Sequence, residues 1–248
     1  MDNKALFSGK SDDYCRFRPS YPASSAQWLR ARCPGENVVD IGAGTGIFTR
    51  ILRDCFSSVS AVEPNADMRN KFRDFLPEII CSDGTGEATG LPDHSTDLIT
   101  VAQAFHWLEE EKFKQEAMRI LRPGGKVAII WNTSLPNAFS EARDRVCQQY
   151  CPRFRAGHAG KRSAAEGNDF LLHHYFHKVE VASFANPFAM DLEIFEGNMR
   201  SRSYSIGADH SDYPEFMTEL RAVFEQFSSN GIVIEPQETQ IFLGEFSA

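Results

Sequence analysis

The run VVDIGAGTGIFTRIL, residues 38–52, constrains the fold of this chain more than any other stretch. An apolar, β-branched segment reaches Asp40 and then gives way to glycines at every second position, Gly42, Gly44 and Gly46, before the sequence becomes amphipathic. This order predicts a buried strand, a tight turn and a helix. Glycines let such a turn bend sharply and approach a ligand, and the start of the helix offers N–H groups to that ligand.

The first half of the chain repeats this alternation of strand and helix. Short runs rich in β-branched residues predict strands at 37–41, 59–62, 79–81, 97–101 and 126–131. Amphipathic segments between and ahead of them predict helices at 22–32, 46–55, 66–75 and 112–121. We therefore expect an α/β fold in which crossover helices join parallel strands, with ligands bound at the carboxyl edge of the sheet.

The alternation becomes less regular after residue 131. The pattern predicts a strand at 178–184, a loop at 156–168, a final strand or hairpin after residue 230, and helices at 138–150, 192–199 and 213–227. We expect the inserted helices to form a lid over the carboxyl edge of the sheet. A single domain is then predicted to comprise an N-terminal arm (1–36), a core (37–135), late strands with lid helices (136–230) and a C-terminal strand (231–248).

The charge balance limits the partners. The 34 acidic residues outnumber the 26 basic ones, which gives a net charge of −8 and argues against a general nucleic-acid binder. Basic residues concentrate at 143–162, which we interpret as a solvated helix face and loop, with a site for an acidic substrate as the alternative. Six scattered cysteines without a C-x-x-C pair predict neither a metal site nor a redox dithiol, and no apolar stretch reaches membrane-spanning length. We expect a cytoplasmic monomer or homodimer without nucleic-acid or membrane partners.

Two carboxylates narrow the ligand of the glycine turn. Asp40 precedes the first glycine of a G-x-G-x-G turn by two residues, where it would repel the pyrophosphate of a dinucleotide. This favours a phosphate-free ligand with cationic groups, such as S-adenosylmethionine. Glu63 follows the apolar run SVSAV and is expected at the tip of the second strand, where it can accept hydrogen bonds from both ribose hydroxyls. A nicotinamide oxidoreductase would use the same acid, and a purely connecting turn is the third alternative.

These residues resemble the class I S-adenosylmethionine-dependent methyltransferases, in particular the small-molecule branch called methyltransferase type 11. The run AVEPNADM at 61–68 is similar to the second motif of that family, residues 82–108 to its adenine loop and fourth strand, and RILRPGGKVAIIW at 119–131 to its fifth strand. YCRFRPSYP at 14–22 resembles the lead-in of a subgroup that includes trans-aconitate-methyltransferase-like proteins. The resemblance implies a Rossmann-like, doubly wound, mostly parallel seven-stranded sheet with helical lid insertions.

The resemblance also implies a site for S-adenosylmethionine, with S-adenosylhomocysteine as the product. The methionine part would contact Asp40, or water held by it, together with the backbone of Gly42, Ala43 and Gly44. The ribose would be held by Glu63. The adenine would lie beside two residues of the second motif and three of the following loop: Asn65, Met68, Gly86, Glu87 and Ala88. Within that loop the glycine at position 86, where relatives commonly have alanine, is expected to loosen the chain.

The end of the fourth strand and the lead-in complete the implied site. Ala102 and Gln103 would face the methionine ammonium and the transferred methyl, with Phe105 and Trp107 as walls of the pocket. Residues of the lead-in would fold over the sulfonium, or else form only a packed arm: Tyr14, Arg18 and Tyr21.

The chemistry leaves one catalytic candidate. Methyl transfer by in-line displacement needs alignment more than acid–base help when the acceptor is already anionic, whereas a hydroxyl or a carbon acid needs a base. His106 is the nearest base, and the alternative is that its imidazole packs under the lid and serves contacts with the adenosine of the cofactor or with a helix. We expect a small-molecule acceptor, with O-methylation of a carboxylate or hydroxyl favoured. The alternatives are a C-methyltransferase of a quinone-like substrate and a non-catalytic S-adenosylmethionine-binding protein.

Overall fold

The computed structural model describes residues 15–155, 158–159 and 162–246 of the 248-residue chain. The described strands are β1 Asn37–Ile41, β2 Ser58–Val62, β3 Cys81–Ser82, β4 Thr96–Ala102, β5 Leu121–Ser134, β6 His158–Ala159, β7 Arg162–Ser163, β8 Lys178–Ala185, β9 Phe188–Met190, β10 Val233–Glu235 and β11 Gln237–Glu245. The described helices are α1 Ala23–Arg30, α2 Thr49–Arg53, α3 Ala66–Phe75, α4 Glu110–Ile120, α5 Ala138–Tyr150, α6 Ala164–Phe170, α7 Leu192–Ser201 and α8 Tyr213–Phe227. None of the described helices is long and apolar enough to cross a membrane.

Seven of these strands form one sheet in the order β3-β2-β1-β4-β5-β11-β8. The first five strands of the chain run parallel, and β11 lies antiparallel between β5 and β8. The winding reverses between β1 and β4, so a crevice opens where the carboxyl ends of these two strands diverge. This topology confirms the prediction of a Rossmann-like, doubly wound and mainly parallel sheet.

Two apolar layers cover the central strands, one on each face. Successive residues of β1 point to opposite sides: Val38 packs in one cluster with Leu29 of α1 and Leu52 of α2, whereas Val39 packs in another with Phe113 of α4. Each of these five side chains is 2% exposed or less. Burial on both faces explains why the central strands read as continuous apolar runs in the sequence.

A third apolar cluster lies in the second half of the chain. Its members come mainly from α5, α7 and α8, with Phe139, Phe195 and Leu220 among them. Strands β9 and β10 form a separate antiparallel pair that contributes Met190 and Val233 to the same cluster. Strand β10 therefore pairs with β9 rather than forming a terminal hairpin with β11.

Two further expectations need correction. The stretch 156–168, predicted as a loop, contains the β6–β7 pair and the start of α6. Arg143, assigned from the sequence to a solvated face, is 7% exposed and forms ion pairs with Glu235 of β10 and with Asp144. A buried guanidinium requires such partners, since an unpaired buried charge is strongly destabilising.

The helix bounds follow the apolar periodicity where helices are long. Helices α5 and α8 have the predicted bounds, 138–150 and 213–227. Helix α2 begins three residues later than predicted, because Gly46 has a φ of +86° and the chain remains in a turn until Phe48. Residues 46–48, predicted to be helical, therefore belong to the glycine turn beside the crevice.

Candidate functional site

The glycine turn lies at the carboxyl end of β1, beside the crevice. Gly42, Gly44 and Gly46 have φ angles of +67°, +59° and +86°, in the region that side chains disfavour. A Cβ on Gly42 would lie 2.6 Å from the Cβ of Ala104, so the approach of the segment after β4 also requires glycine. The Gly42 N–H donates to the carbonyl of Val62 over 2.8 Å and ties the turn to the end of β2.

Asp40 lies beneath this turn rather than at its surface. Its side chain is 1% exposed, and its two oxygens accept hydrogen bonds from the hydroxyls of Thr49, at 2.6 Å, and Thr100, at 2.8 Å. Burial raises the pKa of Asp40 to about 6, against the opposing effect of these hydrogen bonds. Asp40 thereby joins β1, β4 and α2, and its predicted contact with a ligand, direct or through water, stays a prediction.

Glu63 occupies the predicted place at the tip of β2. Its carboxylate accepts one hydrogen bond from the N–H of Gly44 and one from the N–H of Asn65, each over 2.8 Å. The residue is 7% exposed, and burial raises the pKa of its carboxyl group. Asn65 caps α3 by accepting a hydrogen bond from the N–H of Met68, and both of these residues are buried. The run at 61–68 therefore places the Glu63 carboxylate in direct contact with the glycine turn.

Arg69 belongs to this constellation and was missed in the sequence. Its Nη1 donates to the backbone carbonyl of Glu63 over 2.8 Å and lies 3.1 Å from a carboxylate oxygen of Asp83. The side chain is only 12% exposed. Its position four residues after the N-cap Asn65 puts it on the helix face that looks toward the strand ends, which is the signal that could have found it.

The loop after β3 forms its own closed turn. Thr85 and Ala88 exchange backbone hydrogen bonds of 3.1 and 3.2 Å, so the Ala88 N–H expected to meet the adenine donates to Thr85. The Glu87 carboxylate accepts a hydrogen bond from the N–H of Glu109, just before α4, over 2.8 Å. The loop is thereby joined to α4, and its predicted contacts with a ligand stay predictions.

Gly86 packs closely beneath its neighbours. A Cβ at Gly86 would lie 2.8 Å from Cδ2 of Leu108 and 3.4 Å from Cγ2 of Ile41. The glycine is buried and allows the loop to pack closely on these two side chains. Close packing is therefore a reason for glycine at this position, and the expected looseness of the loop stays a prediction.

Gln103 follows the end of β4 at Ala102 and adopts a φ of +55°. Such a backbone costs about 1 kcal/mol for a residue with a side chain and persists where the surroundings require it. Here the Gln103 N–H donates to the carbonyl of Ile130, and its Nε2 donates to the carbonyl of Asn132, over 2.9 and 2.8 Å. The residue predicted to face the transferred methyl thus clamps the ends of β4 and β5.

Phe105 belongs to the apolar core. It is 5% exposed and packs edge-on against Phe113, at 6.1 Å between ring centroids, and Tyr175, at 5.1 Å. Trp107, the other predicted wall, is only partly buried. The predicted role of both residues as walls of the pocket stays a prediction.

His106 lies between two indoles. Its ring centroid is 4.5 Å from that of Trp107 and 5.5 Å from that of Trp131, with the latter pair nearly stacked. Its Nδ1 is buried and has no hydrogen-bond partner among the described residues. Burial, and secondarily the positive charge of Arg18, lower the pKa of His106 to about 4. The imidazole is therefore neutral at physiological pH and is a weak base.

Residues 15–22 are the described part of the predicted N-terminal arm that precedes α1, and from here on the arm means these residues. They are held by α7. Asn198 donates from its Nδ2 to the carbonyl of Phe17 over 2.9 Å, and Arg18 donates from its Nη2 to the carbonyl of Ser201 over 3.0 Å. Arg18 thereby lies between α7 and His106, whose pKa it lowers. Tyr14, predicted to contact the cofactor, lies outside the described residues.

The arm also reaches the carboxyl edge of the sheet. The Ser20 carbonyl accepts hydrogen bonds from the amides of Asn132, at the end of β5, and Asn186, after β8, over 3.1 and 2.8 Å. Tyr21 packs edge-on against Phe48, with ring centroids 4.9 Å apart. The arm therefore crosses the carboxyl edge of the sheet from α7 to the ends of β5 and β8.

The assembled site offers acceptors to a ligand that carries hydroxyl and ammonium groups. The glycine turn gives close backbone access, Glu63 retains unused lone pairs beside it, and the hydroxyl of Thr45 is buried without a hydrogen-bond partner among the described residues. A ligand that brings hydroxyl and ammonium donors would satisfy these acceptors.

Comparison with known proteins agrees with this geometry. Residues 39–129 match the family model described as a methyltransferase domain. An uncharacterized methyltransferase of Mycobacterium tuberculosis is 39% identical over 132 residues, which cover 53% of this chain and 54% of the relative. The probable S-adenosylmethionine-dependent methyltransferase CRG1 of Saccharomyces cerevisiae is 30% identical over 129 residues, covering 48% and 44%. The chain spans about half the length of the curated relatives it matches.

A solved structure from Anaeromyxobacter dehalogenans, named as a type II methyltransferase, shares the fold. It superposes with a TM-score of 0.67 at 24% identity and covers 92% of this chain and 98% of its own. Residues 39–129 thus match a methyltransferase domain, and the sheet has the Rossmann-like topology expected of a class I S-adenosylmethionine-dependent methyltransferase. The match favours methyl transfer over the nicotinamide alternative.

Proposed function

We propose that this chain transfers a methyl group from S-adenosylmethionine to a small-molecule acceptor, with O-methylation of a carboxylate as the favoured reaction. The observation that carries the proposal is the hydrogen bond from the Gly44 N–H to the Glu63 carboxylate. It brings together, at the crevice, a backbone that can approach a ligand and an acid that can hold a ribose.

Each part of S-adenosylmethionine has residues of this site that would hold it. Glu63 would accept hydrogen bonds from the two ribose hydroxyls, and the glycine turn, with the buried hydroxyl of Thr45, would hold the methionine part. Met68 and the loop after β3 would hold the adenine. S-adenosylmethionine would supply a methyl group on a positively charged sulfur. Gln103, fixed between β4 and β5, would be the residue of the strand ends that faces this methyl group.

The position of the arm supports a small acceptor. Hydrogen bonds from α7 and from the ends of β5 and β8 hold the arm across the carboxyl edge of the sheet. A polymer would need an open groove at this edge, so an arm held across it favours a small-molecule acceptor. The net charge of −8 also disfavours nucleic acid as the acceptor.

The state of His106 supports a carboxylate acceptor over a hydroxyl. A base with a pKa of about 4 removes a proton from a hydroxyl inefficiently at neutral pH. A carboxylate is already ionised and needs only to be aligned with the methyl and sulfur. The positive charge of Arg18, which acts on His106, would also attract such an anion.

Two measurements test the proposal. Calorimetric titration with S-adenosylhomocysteine and with NADH should show binding of the first and not of the second. Transfer of radiolabelled methyl from S-adenosylmethionine across panels of carboxylates, hydroxyl compounds and quinone-like carbon acids should then label a carboxylate, as a methyl ester that mild base hydrolyses. A base-stable product would instead indicate an ether or a carbon-methylated compound, and labelling of the hydroxyl panel or of the carbon-acid panel distinguishes these two. Cofactor binding without turnover across all panels would favour the non-catalytic alternative.

A further inference from the structure

We propose that Arg69 is a positioning residue that fixes Glu63 in place and favours its ionised form for binding the cofactor ribose. This inference rests on the proposed function, because it assigns Glu63 to the ribose. It concerns a residue that makes no contact with the ligand itself and that acts through Glu63.

The contacts of Arg69 join the two strand ends beside the acid. Its Nη1 donates to the carbonyl of Glu63, immediately after β2, and forms an ion pair with Asp83, immediately after β3. The guanidinium is largely buried, whereas the Asp83 side chain is 74% exposed. The buried partner of Arg69 is therefore the backbone of Glu63, and the exposed carboxylate completes the clamp from the solvent side.

The clamp and the carboxylate contacts act on the same residue. Arg69 holds the main chain of Glu63, while the N–H groups of Gly44 and Asn65 hold its two carboxylate oxygens. Glu63 is thus fixed at both its main chain and its carboxylate. This reduces the conformational entropy that its side chain loses when a ligand binds.

Arg69 also supplies charge in a neighbourhood that disfavours a carboxylate. The titratable groups that face Glu63 are Asp40 on β1, Cys81 on β3, Arg69 on α3 and, beyond the guanidinium, Asp83. Arg69 is the only cation among these described groups. Burial raises the pKa of Glu63; the hydrogen bonds from the N–H groups of Asn65 and Gly44 oppose that rise, and attraction by Arg69 adds to their effect. Loss of the cation should therefore let Glu63 take up a proton at higher pH.

The test compares two substitutions at this position. We expect R69Q to weaken S-adenosylhomocysteine binding by about tenfold at pH 7.5, the loss typical of a charge-assisted hydrogen bond, and to raise the pH at which binding is half lost. R69K retains the charge without the planar fork, so it should keep the wild-type pH midpoint with a smaller loss of affinity. Asp40 is present in both variants, so the difference between their pH midpoints of binding reports the effect of the charge at position 69.

Controls separate the possible outcomes. R73Q removes an exposed arginine of the same helix whose hydrogen bond is to Asn70, and it should leave the Kd and the midpoint unchanged. If R69Q and R69K weaken binding equally with an unchanged midpoint, or if R69Q binds as wild type does, the inference is overturned while the proposed function stands. If wild-type protein does not bind S-adenosylhomocysteine, the proposed function fails and this inference fails with it.

Discussion

The Glu63 carboxylate accepts a hydrogen bond from the Gly44 N–H over 2.8 Å and so joins the tip of β2 to the glycine turn after β1. Its other oxygen accepts the N–H of Asn65 over the same distance. A carboxylate offers about four lone-pair sites, so two N–H donors leave room for two more donors. A ribose with two neighbouring hydroxyls matches that remaining capacity, which makes Glu63 both part of the turn and part of the binding surface.

Glu63→Gln tests this double role. The amide nitrogen of glutamine cannot accept a hydrogen bond, so it would face the N–H of Gly44 or of Asn65 and leave that donor unsatisfied, at about 1–3 kcal/mol. We expect the Kd for S-adenosylhomocysteine, measured by calorimetry, to rise at least about tenfold. Glu78→Gln, which alters an exposed acid paired with Arg53, serves as the control and should bind normally. An unchanged Kd for E63Q would remove Glu63 from the site.

Asp40→Asn should alter how stability depends on pH. The pKa of Asp40 is raised by burial from 3.8 to about 6, so the folded state takes up a proton as pH falls through 6 while the unfolded state does not. Wild-type protein should therefore gain about 1 kcal/mol of unfolding free energy relative to D40N between pH 7.5 and pH 5. Urea unfolding of both proteins at these two pH values measures the difference. A difference that is independent of pH would show that Asp40 does not titrate in this window.

The sequence predicted the parts of this molecule whose determinants are local. Helices α5 and α8 were placed at their observed bounds because long amphipathic periods define them, and the buried central strands were found as apolar runs. The turn and Glu63 were also located correctly, since both immediately follow such runs. What a residue contacts across the chain was not predictable in the same way.

Asp40 and Arg143 illustrate why. The partner of Asp40 on β4, Thr100, is 60 residues away, and the partner of Arg143, Glu235, is 92 residues away. No local pattern in the sequence shows that the Thr100 hydroxyl or the Glu235 carboxylate is the partner of a buried charged residue. The sequence therefore did not reveal the internal hydrogen bonds of Asp40, and it assigned to solvent an arginine that is buried.

His106→Asn tests whether the imidazole acts as a base. Because burial and Arg18 lower the pKa of His106 to about 4, the group does not change its charge between pH 5.5 and 8. With a carboxylate acceptor we expect kcat to fall by less than about tenfold, whereas loss of a general base would cost 10²–10⁴-fold. The pH profile of kcat/KM, measured for both proteins, decides the case. An inflection near neutral pH that H106N abolishes would establish His106 as the base.

Gly197→Ala tests the docking of the arm on α7. Within a helix this change ordinarily stabilises by about 1 kcal/mol, yet a Cβ at Gly197 would overlap the ring of Phe17. Overpacking of this kind costs about 1–3 kcal/mol, so G197A should lower the Tm and speed tryptic cleavage within the arm. Gly167→Ala on α6, where a Cβ has open space, is the matched control and should do neither. Because Phe17→Ala removes the obstructing ring, the double variant F17A/G197A should be less destabilised than the two single changes add up to, and strict additivity would refute the contact.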